Sequence, residues 1–378
     1  MAGSIKIGSL FGIPVLLHWS FLVAIPLFAA IIGIDIAISS SFVFEVLGLS
    51  GQDTTLITEG WNPYILGVVV ALALFFCVLV HELAHCIVAL RRGIKINSIT
   101  LLILGGVSSI ENEVPDPRDE LPMSLAGPLT SLGLAVISWA AVLAGVRFIP
   151  YPPVGGVVVF LFGYLALLNL ILFAFNLLPA FPMDGGRVLR AWLAKRMPLP
   201  RATKIAADVG KVFAAIFIIL GLLSLNFILL IIGVFIFLGG DQELLALRTT
   251  VLLRDVAVAD VMSTSLVTVP PEMPVPEVIR LMYATKHLGF PVLAGDTLVG
   301  MVTLEDVHRT PEIDRDAKQV KDIMARELIT LPPTAMLTEA YRLMIRYNIG
   351  RIPIVADGRL TGIVTRTDVL KVMDLREM

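Results

Sequence analysis

Six long apolar runs occupy the first two-thirds of this chain: 12–36, 62–90, 121–146, 155–178, 202–223 and 225–243. Each is close to the roughly 20 residues that a helix needs to cross a bilayer. Hydrocarbon cannot hydrogen-bond a peptide group, so runs buried in lipid must satisfy their own backbone, as helices do. Composition agrees, with 57% hydrophobic and only 16% charged residues, against about 25% charged in ordinary soluble domains. From Asp241 to Met378 the sequence instead resembles a soluble domain. The expected fold class is a polytopic α-helical membrane region over 1–245, with about six spans, followed by a soluble α/β region over 246–378. A net charge of −2 supplies no electrostatic footprint for nucleic acid.

Six spans put both termini on one side, and the basic residues choose it. Arg91, Arg92, Lys95 and Arg118 lie between the second and third runs. Arg187, Arg190, Lys195, Arg196, Arg201 and Lys204 lie between the fourth and fifth. The opposite side has Arg147 alone, and 37–61 has no lysine or arginine. The positive-inside bias therefore predicts cytoplasmic termini and a multi-pass protein of the cell membrane. The opening MAGSIKIGSLFGIPVLLHWSF leads into an apolar stretch longer than a signal-peptide core, which predicts a retained first helix. Cys77 and Cys86 are nine residues apart on one expected helix, about 13 Å along its axis, too far for a disulfide. Two stretches resist a helical reading. IKINSITLLILGGVSSIENE, residues 94–113, is β-branched around Gly105-Gly106 and predicts a membrane-associated hairpin. In NLLPAFPMDGG, residues 176–186, Pro179, Pro182 and two glycines must unwind the end of the fourth span.

The soluble part repeats itself. Shifting 261–307 by 62 residues lays it on 323–369 without a gap, with Met262 on Met324, Pro291 on Pro353, and GMVTLEDV on GIVTRTDV. Each copy reads strand, helix, strand, turn, strand, helix, starting with LVTV in the first, and two such units should stack as a pseudo-dimer. On these paired G-h-V-T-x-x-D endings and the apolar strands before them, 254–376 resembles a tandem cystathionine-β-synthase (CBS) pair, with repeats over 254–310 and 317–376.

HELAH in the second run carries the chemistry. His81 and His85 are four apart, on one helix face and about a turn from each other, an arrangement that can hold one metal ion, usually zinc. Glu82 beside them is free to take a proton from a water the metal has acidified. With Arg91 marking the inner interface, His85 and His81 lie ~9 and ~15 Å inside the membrane, where ionisable groups are costly and functional by default. Catalytic zinc usually takes three protein ligands, and Asp184, after the helix-breaking stretch, is the best third. The alternative for Asp184 is an N-cap of a helix beginning at Arg187.

HExxH in the second run, SLAGP (124–128) opening the third and NLLPAFPMDGG ending the fourth are similar to the site-2 protease family of intramembrane metalloproteases. The resemblance covers about 8–240. It implies zinc bound by His81, His85 and Asp184, Glu82 as general base, and regulated intramembrane proteolysis of single-span membrane proteins. With the CBS pair it implies the prokaryotic branch that joins this core to a cytosolic sensor. It also implies that Asn176 steadies the oxyanion or the substrate peptide; a helix-end asparagine satisfying freed carbonyls is the other reading. Asn169 reads as interhelical glue. His18 would lie level with the metal, as a contact to the site or as an interfacial histidine beside Trp19.

In CBS pairs the terminal threonine and aspartate often hold an adenine nucleotide, which would place Thr303, Asp306, Thr365 and Asp368 around ATP or a relative acting as a signal. The alternative is that both aspartates cap helices. Homodimerisation through the CBS pair is compatible with the resemblance. Two rival functions remain from other classes: a CBS-gated transporter, which gives Glu82 no role, and a zinc-binding membrane protein that does not cleave.

Overall fold

The computed structural model describes residues 3–102, 105–110 and 116–377. The chain forms two compact units, Met1–Leu247 and Arg248–Met378.

The first unit begins with strands, which corrects the expectation of a span from residue 12. Strands β1 (Ser4–Leu10) and β2 (Ile13–His18) pair antiparallel. Phe11 (φ 51°) and Gly12 (φ 81°) make the two-residue turn between them, and positive φ at both positions suits the right-handed twist of a hairpin. Helix α1 (Trp19–Ile34) follows, with His18 Nδ1 accepting from the Ser20 amide at its start. The chain then bends by 77° at Asp35 into α2 (Ile36–Val46). After the short α3 (Thr55–Thr58), helix α4 runs from Asn62 to Arg91. Strands β3 (Ile96–Leu102) and β4 (Gly105–Ile110) pair antiparallel, and β3 joins β2 in parallel to give the sheet order β1-β2-β3-β4. The hairpin expected over 94–113 includes Ile103, Leu104 and 111–113, which lie outside the described residues.

Helices α5 (Pro117–Phe148), α6 (Pro152–Asn176), α7 (Asp184–Ala194), α8 (Leu199–Leu223) and α9 (Phe227–Leu253) complete the unit. Among the described residues five helices are long and apolar enough to cross a membrane, or six if α1 and α2 count as one bent span. Between 17% and 39% of each span's most apolar window is buried against protein; the rest is apolar surface that needs lipid. Helix α4 packs against α1, α5 and α6. Close approach to α1 comes from Gly67, where a Cβ would lie 2.5 Å from the Ala29 carbonyl oxygen. Phe75 then packs against Phe21, tilted, and Phe28, edge to face, with centroids 4.4 and 6.1 Å apart.

The second unit shows the 62-residue repeat as structure. The first copy holds α10 (Val275–Thr285), β5 (Gly289–Ala294), β6 (Thr297–Thr303) and α11 (Leu304–Arg309). After the short α12 (Val320–Ile323), the second holds α13 (Leu337–Arg346), β7 (Arg351–Ala356), β8 (Arg359–Thr365) and α14 (Arg366–Glu377). Both hairpins carry a bulge at the same place, Val292/Leu293 and Ile354/Val355. LVTV does not form the expected full strand: it joins the sheet through a single bridge, Val269 to Val292. The copies complete each other. Met324 Sδ packs against Gly300 and Met262 Sδ against Gly362, in each case 2.5 Å from where a Cβ would stand. Ser263 bridges Ile363 as Met301 bridges Ala325.

Candidate metal centre and active site

Helical geometry sets the rings of His81 and His85 edge to face on α4, with centroids 4.9 Å apart. Helix α5 fixes both from behind. His85 Nδ1 donates to the Met123 carbonyl at 2.7 Å, and His81 Nδ1 hydrogen-bonds Ser131 Oγ at 2.8 Å. A proton held on Nδ1 leaves Nε2 with a lone pair, the form that ligates metal. The two Nε2 atoms are 3.2 Å apart, and Asp184 Oδ2 is 3.2 Å from that of His81 and 3.1 Å from that of His85. Around tetrahedral zinc with bonds of about 2.0–2.1 Å, ligand atoms stand about 3.3 Å apart. This near-equilateral triangle of two nitrogens and a carboxylate oxygen therefore fits zinc, and among the described residues it is the group of three suited to a metal. Gly127 of SLAGP permits it, because a Cβ there would overlap the Nε2 atoms of both histidines.

Asp184 reaches the histidines because the chain between α6 and α7 is unwound over 177–183. Gly185 and Gly186 let the first turn of α7 pack on that segment: a Cβ on Gly185 would strike the carbonyls of Leu177 and Leu178, and one on Gly186 the backbone of Ala180. The expected start at Arg187 is corrected, since α7 begins at Asp184 and Met183 takes the N-cap position without a side-chain bond. The carboxylate is thus turned toward the histidines and not spent on a cap. The heading of α7 is set by Arg190, which is 2% exposed. Its guanidinium pairs with Glu120 of α5, donates to Glu243 of α9 at 2.8 Å, and lies 5.1 Å from the Phe181 ring centroid.

Glu82 points from α4 to β4. Its Oε2 accepts from Ser108 Oγ at 2.8 Å, and Cys86 Sγ donates to the same serine at 3.3 Å. Gly106 makes room, because a Cβ there would overlap Glu82 Cγ. A cavity of about 960 Å3 opens beside these groups, bounded by apolar side chains of α4, α6 and α9 and by the β4 residues Gly105 to Ser108. Asn176, the last residue of α6, lines it and donates Nδ2 to the Leu172 carbonyl at 3.0 Å. Asn169 is buried and donates to Leu165 of its own helix at 2.9 Å. His18 is outside the cavity lining; it caps α1 and lies against Trp19. Both cysteines are buried and free.

In the second unit, Thr303 with Asp306, and Thr365 with Asp368, form matching caps at α11 and α14. Each Asp Oδ2 accepts from the threonine amide (2.8 and 2.9 Å) and hydroxyl (2.6 and 2.7 Å). The supports Ser131, Met123 and Ser108, and the Glu120–Arg190–Glu243 group, are not foreseen from sequence. The one available signal is polar and small residues at helical spacing (Ser124, Gly127, Ser131) in an otherwise apolar span.

A metal-ligand triangle and a carboxylate set among long apolar helices define a membrane-embedded metallopeptidase. Comparison with known proteins narrows the class. Peptidase family M50 matches residues 69–151 and 152–220, and the CBS domain family matches 258–311 and 320–375. A zinc metalloprotease of Methanocaldococcus jannaschii is 33% identical over 99% of this chain and 97% of its own length. Rip3 of Mycobacterium tuberculosis is 32% identical over 99% and 94%. The solved structure of a site-2 protease from Methanocaldococcus jannaschii is 35% identical, covers 64% of this chain and 94% of its own, and superposes with a TM-score of 0.42. The chain belongs to peptidase family M50: it is a multi-pass zinc metallopeptidase carrying a CBS pair.

Proposed function

We propose that this peptidase hydrolyses bonds within the transmembrane segments of other membrane proteins, and that its CBS pair tunes the activity by binding an adenine nucleotide. The observation that carries the first part is the position of HELAH in the C-terminal half of the 30-residue apolar helix α4, beside a cavity edged by β4. His81, His85 and Asp184 would hold the zinc. Bound zinc supplies Lewis acidity, which acidifies water and polarises a carbonyl. Glu82 takes a proton from the attacking water while the water oxygen bonds to the scissile carbonyl carbon, whose C=O π pair moves onto the carbonyl oxygen. The same proton then passes to the peptide nitrogen as the C–N bond breaks. An amide such as Asn176 has two N–H groups, and the one not given to Leu172 would steady the carbonyl oxygen as it gains charge. A spanning helix shields its peptide bonds, so the substrate must unwind locally, and an extended segment can pair with the β4 edge.

Positive-inside topology puts this chemistry near the cytoplasmic face, with both termini and the CBS pair in the cytoplasm. In that pair the Oδ1 atoms of Asp306 and Asp368, outside the caps described above, suit ribose hydroxyls, with Thr303 and Thr365 beside the phosphates.

The deciding assay offers a single-span protein to wild type and Glu82→Gln in liposomes, with bound zinc quantified in both. Cleavage within the span by wild type, and none by a zinc-replete Glu82→Gln, is expected. Zinc in both and cleavage by neither, across several spans, would refute the reading.

A further inference from the structure

A hydroxyl buried in a span is costly unless it finds a partner. Serine and threonine in helices usually return theirs to the carbonyl four residues back, as Thr130 does to Ala126 (2.8 Å) and Thr203 to Leu199 (2.9 Å). Ser124 does not. It is 1% exposed, and its Oγ is buried without a hydrogen-bond partner. Four residues on, Pro128 lacks the N–H that would take the Ser124 carbonyl. One turn of α5 thus leaves both its hydroxyl and a carbonyl without the usual helical bond.

That turn faces the centre. Residues 124, 127 and 131 follow helical spacing along one stripe; Gly127 lies under the ligand nitrogens and Ser131 holds His81. Met123, beside Ser124, holds His85. Ser124 itself lines the cavity with Glu82, His85, Asn176 and Asp184. The groups that brace the histidines already have their partners, whereas the Ser124 hydroxyl, buried in the wall of that cavity, has none.

We propose that the Ser124 hydroxyl binds substrate, donating to a backbone carbonyl of the extended segment beside the scissile bond. The inference rests on the intramembrane proteolytic reading above. Unwinding a span strips carbonyls of their helical N–H partners, and each needs a donor that hydrocarbon cannot supply. A buried hydroxyl on a packed helix, with no partner of its own, is such a donor.

The test uses the full-length zinc-loaded protein in detergent, carrying Ser124→Ala or Ser124→Thr, each with Glu82 intact and with Glu82→Gln. On the Glu82→Gln background a fluorescent single-span protein is held uncut, and its Kd is read by anisotropy. With Glu82 intact, kcat and KM are measured, and zinc is counted in all samples. Ser124→Ala should weaken binding about three- to tenfold, the range of one neutral hydrogen bond, with Ser124→Thr within about twofold of the parent. Zinc content should not change. An unchanged Kd in Ser124→Ala overturns the proposal, and so does loss of zinc, which would make Ser124 part of the metal framework. The proteolytic reading fails separately: Ser124-dependent binding with no cleavage by the Glu82 protein would leave a span-binding site without hydrolysis. A parent that binds no span at all would end both.

Discussion

Ser108 Oγ donates to Glu82 Oε2 across 2.8 Å, so the carboxylate of α4 is aimed by a residue of β4. A hydrogen bond to a charged group is worth about 1.5–3 kcal/mol, and Ser108→Ala should therefore lower kcat about ten- to a hundredfold while leaving zinc in place. Ser108→Thr should recover most of the rate. If Ser108→Ala cleaves at the wild-type rate, Glu82 does not depend on β4 for its aim.

Gly127 sets a steric test of the metal site. Gly127→Ala should abolish stoichiometric zinc binding, because its methyl would fill the space between the histidines. Gly133→Ala on the same helix is the control, since a Cβ there meets nothing within 4 Å. Zinc counted by mass spectrometry in the two purified variants decides the matter, and equal occupancy would mean that the triangle is not the binding site.

Removing the metal should act as removing a ligand does. Chelation should abolish cleavage and added zinc should restore it, whereas His85→Ala and Asp184→Ala should stay inactive after zinc is added. Retained activity in Asp184→Ala would show that the third ligand lies elsewhere.

The buried group around Arg190 predicts a stability effect. Arg190→Met leaves Glu120, 0% exposed, without its partner, and breaking such a pair costs about 3–5 kcal/mol. Replacing Glu120 and Arg190 together by apolar residues should recover much of the loss. Thermal unfolding in detergent, followed for the single and double variants, measures both; an Arg190→Met melt equal to wild type would contradict it.

In the CBS pair, ATP or AMP should raise the melting temperature, and Asp368→Ala should remove that rise besides costing about 1 kcal/mol through loss of the Thr365–Asp368 cap. Loss of stability with the nucleotide shift intact would leave Asp368 as a cap alone.

Much of this was readable before any fold was known, for a physical reason. The apolar runs at α4, α5, α6 and α8 announced themselves because lipid tolerates little else, and HELAH fixes its own geometry through the period of one helix. The β1–β2 hairpin stayed hidden because VLLHWSF is as apolar as the span it precedes, and an apolar run alone does not separate a strand from a helix. Ser108, Ser131 and the Met123 carbonyl were illegible for a different reason: each acts on a residue between 26 and 50 positions away, and only packing brings them together. That Asp184 comes within 3.2 Å of both histidines could be anticipated solely because prolines and glycines punctuate the chain just there.

The exchange of Met262 and Met324 between the two repeats bears on how this chain is made. At about 5–20 residues per second, a ribosome adds Met324, which fills the gap beside Gly300, about 1–3 seconds after the last residue of the first copy, and Gly362, against which Met262 packs, several seconds later still. The leading half must therefore wait, incomplete, for the trailing one. A premature stop before Gly362 would take a contact from the first copy as well as truncating the second.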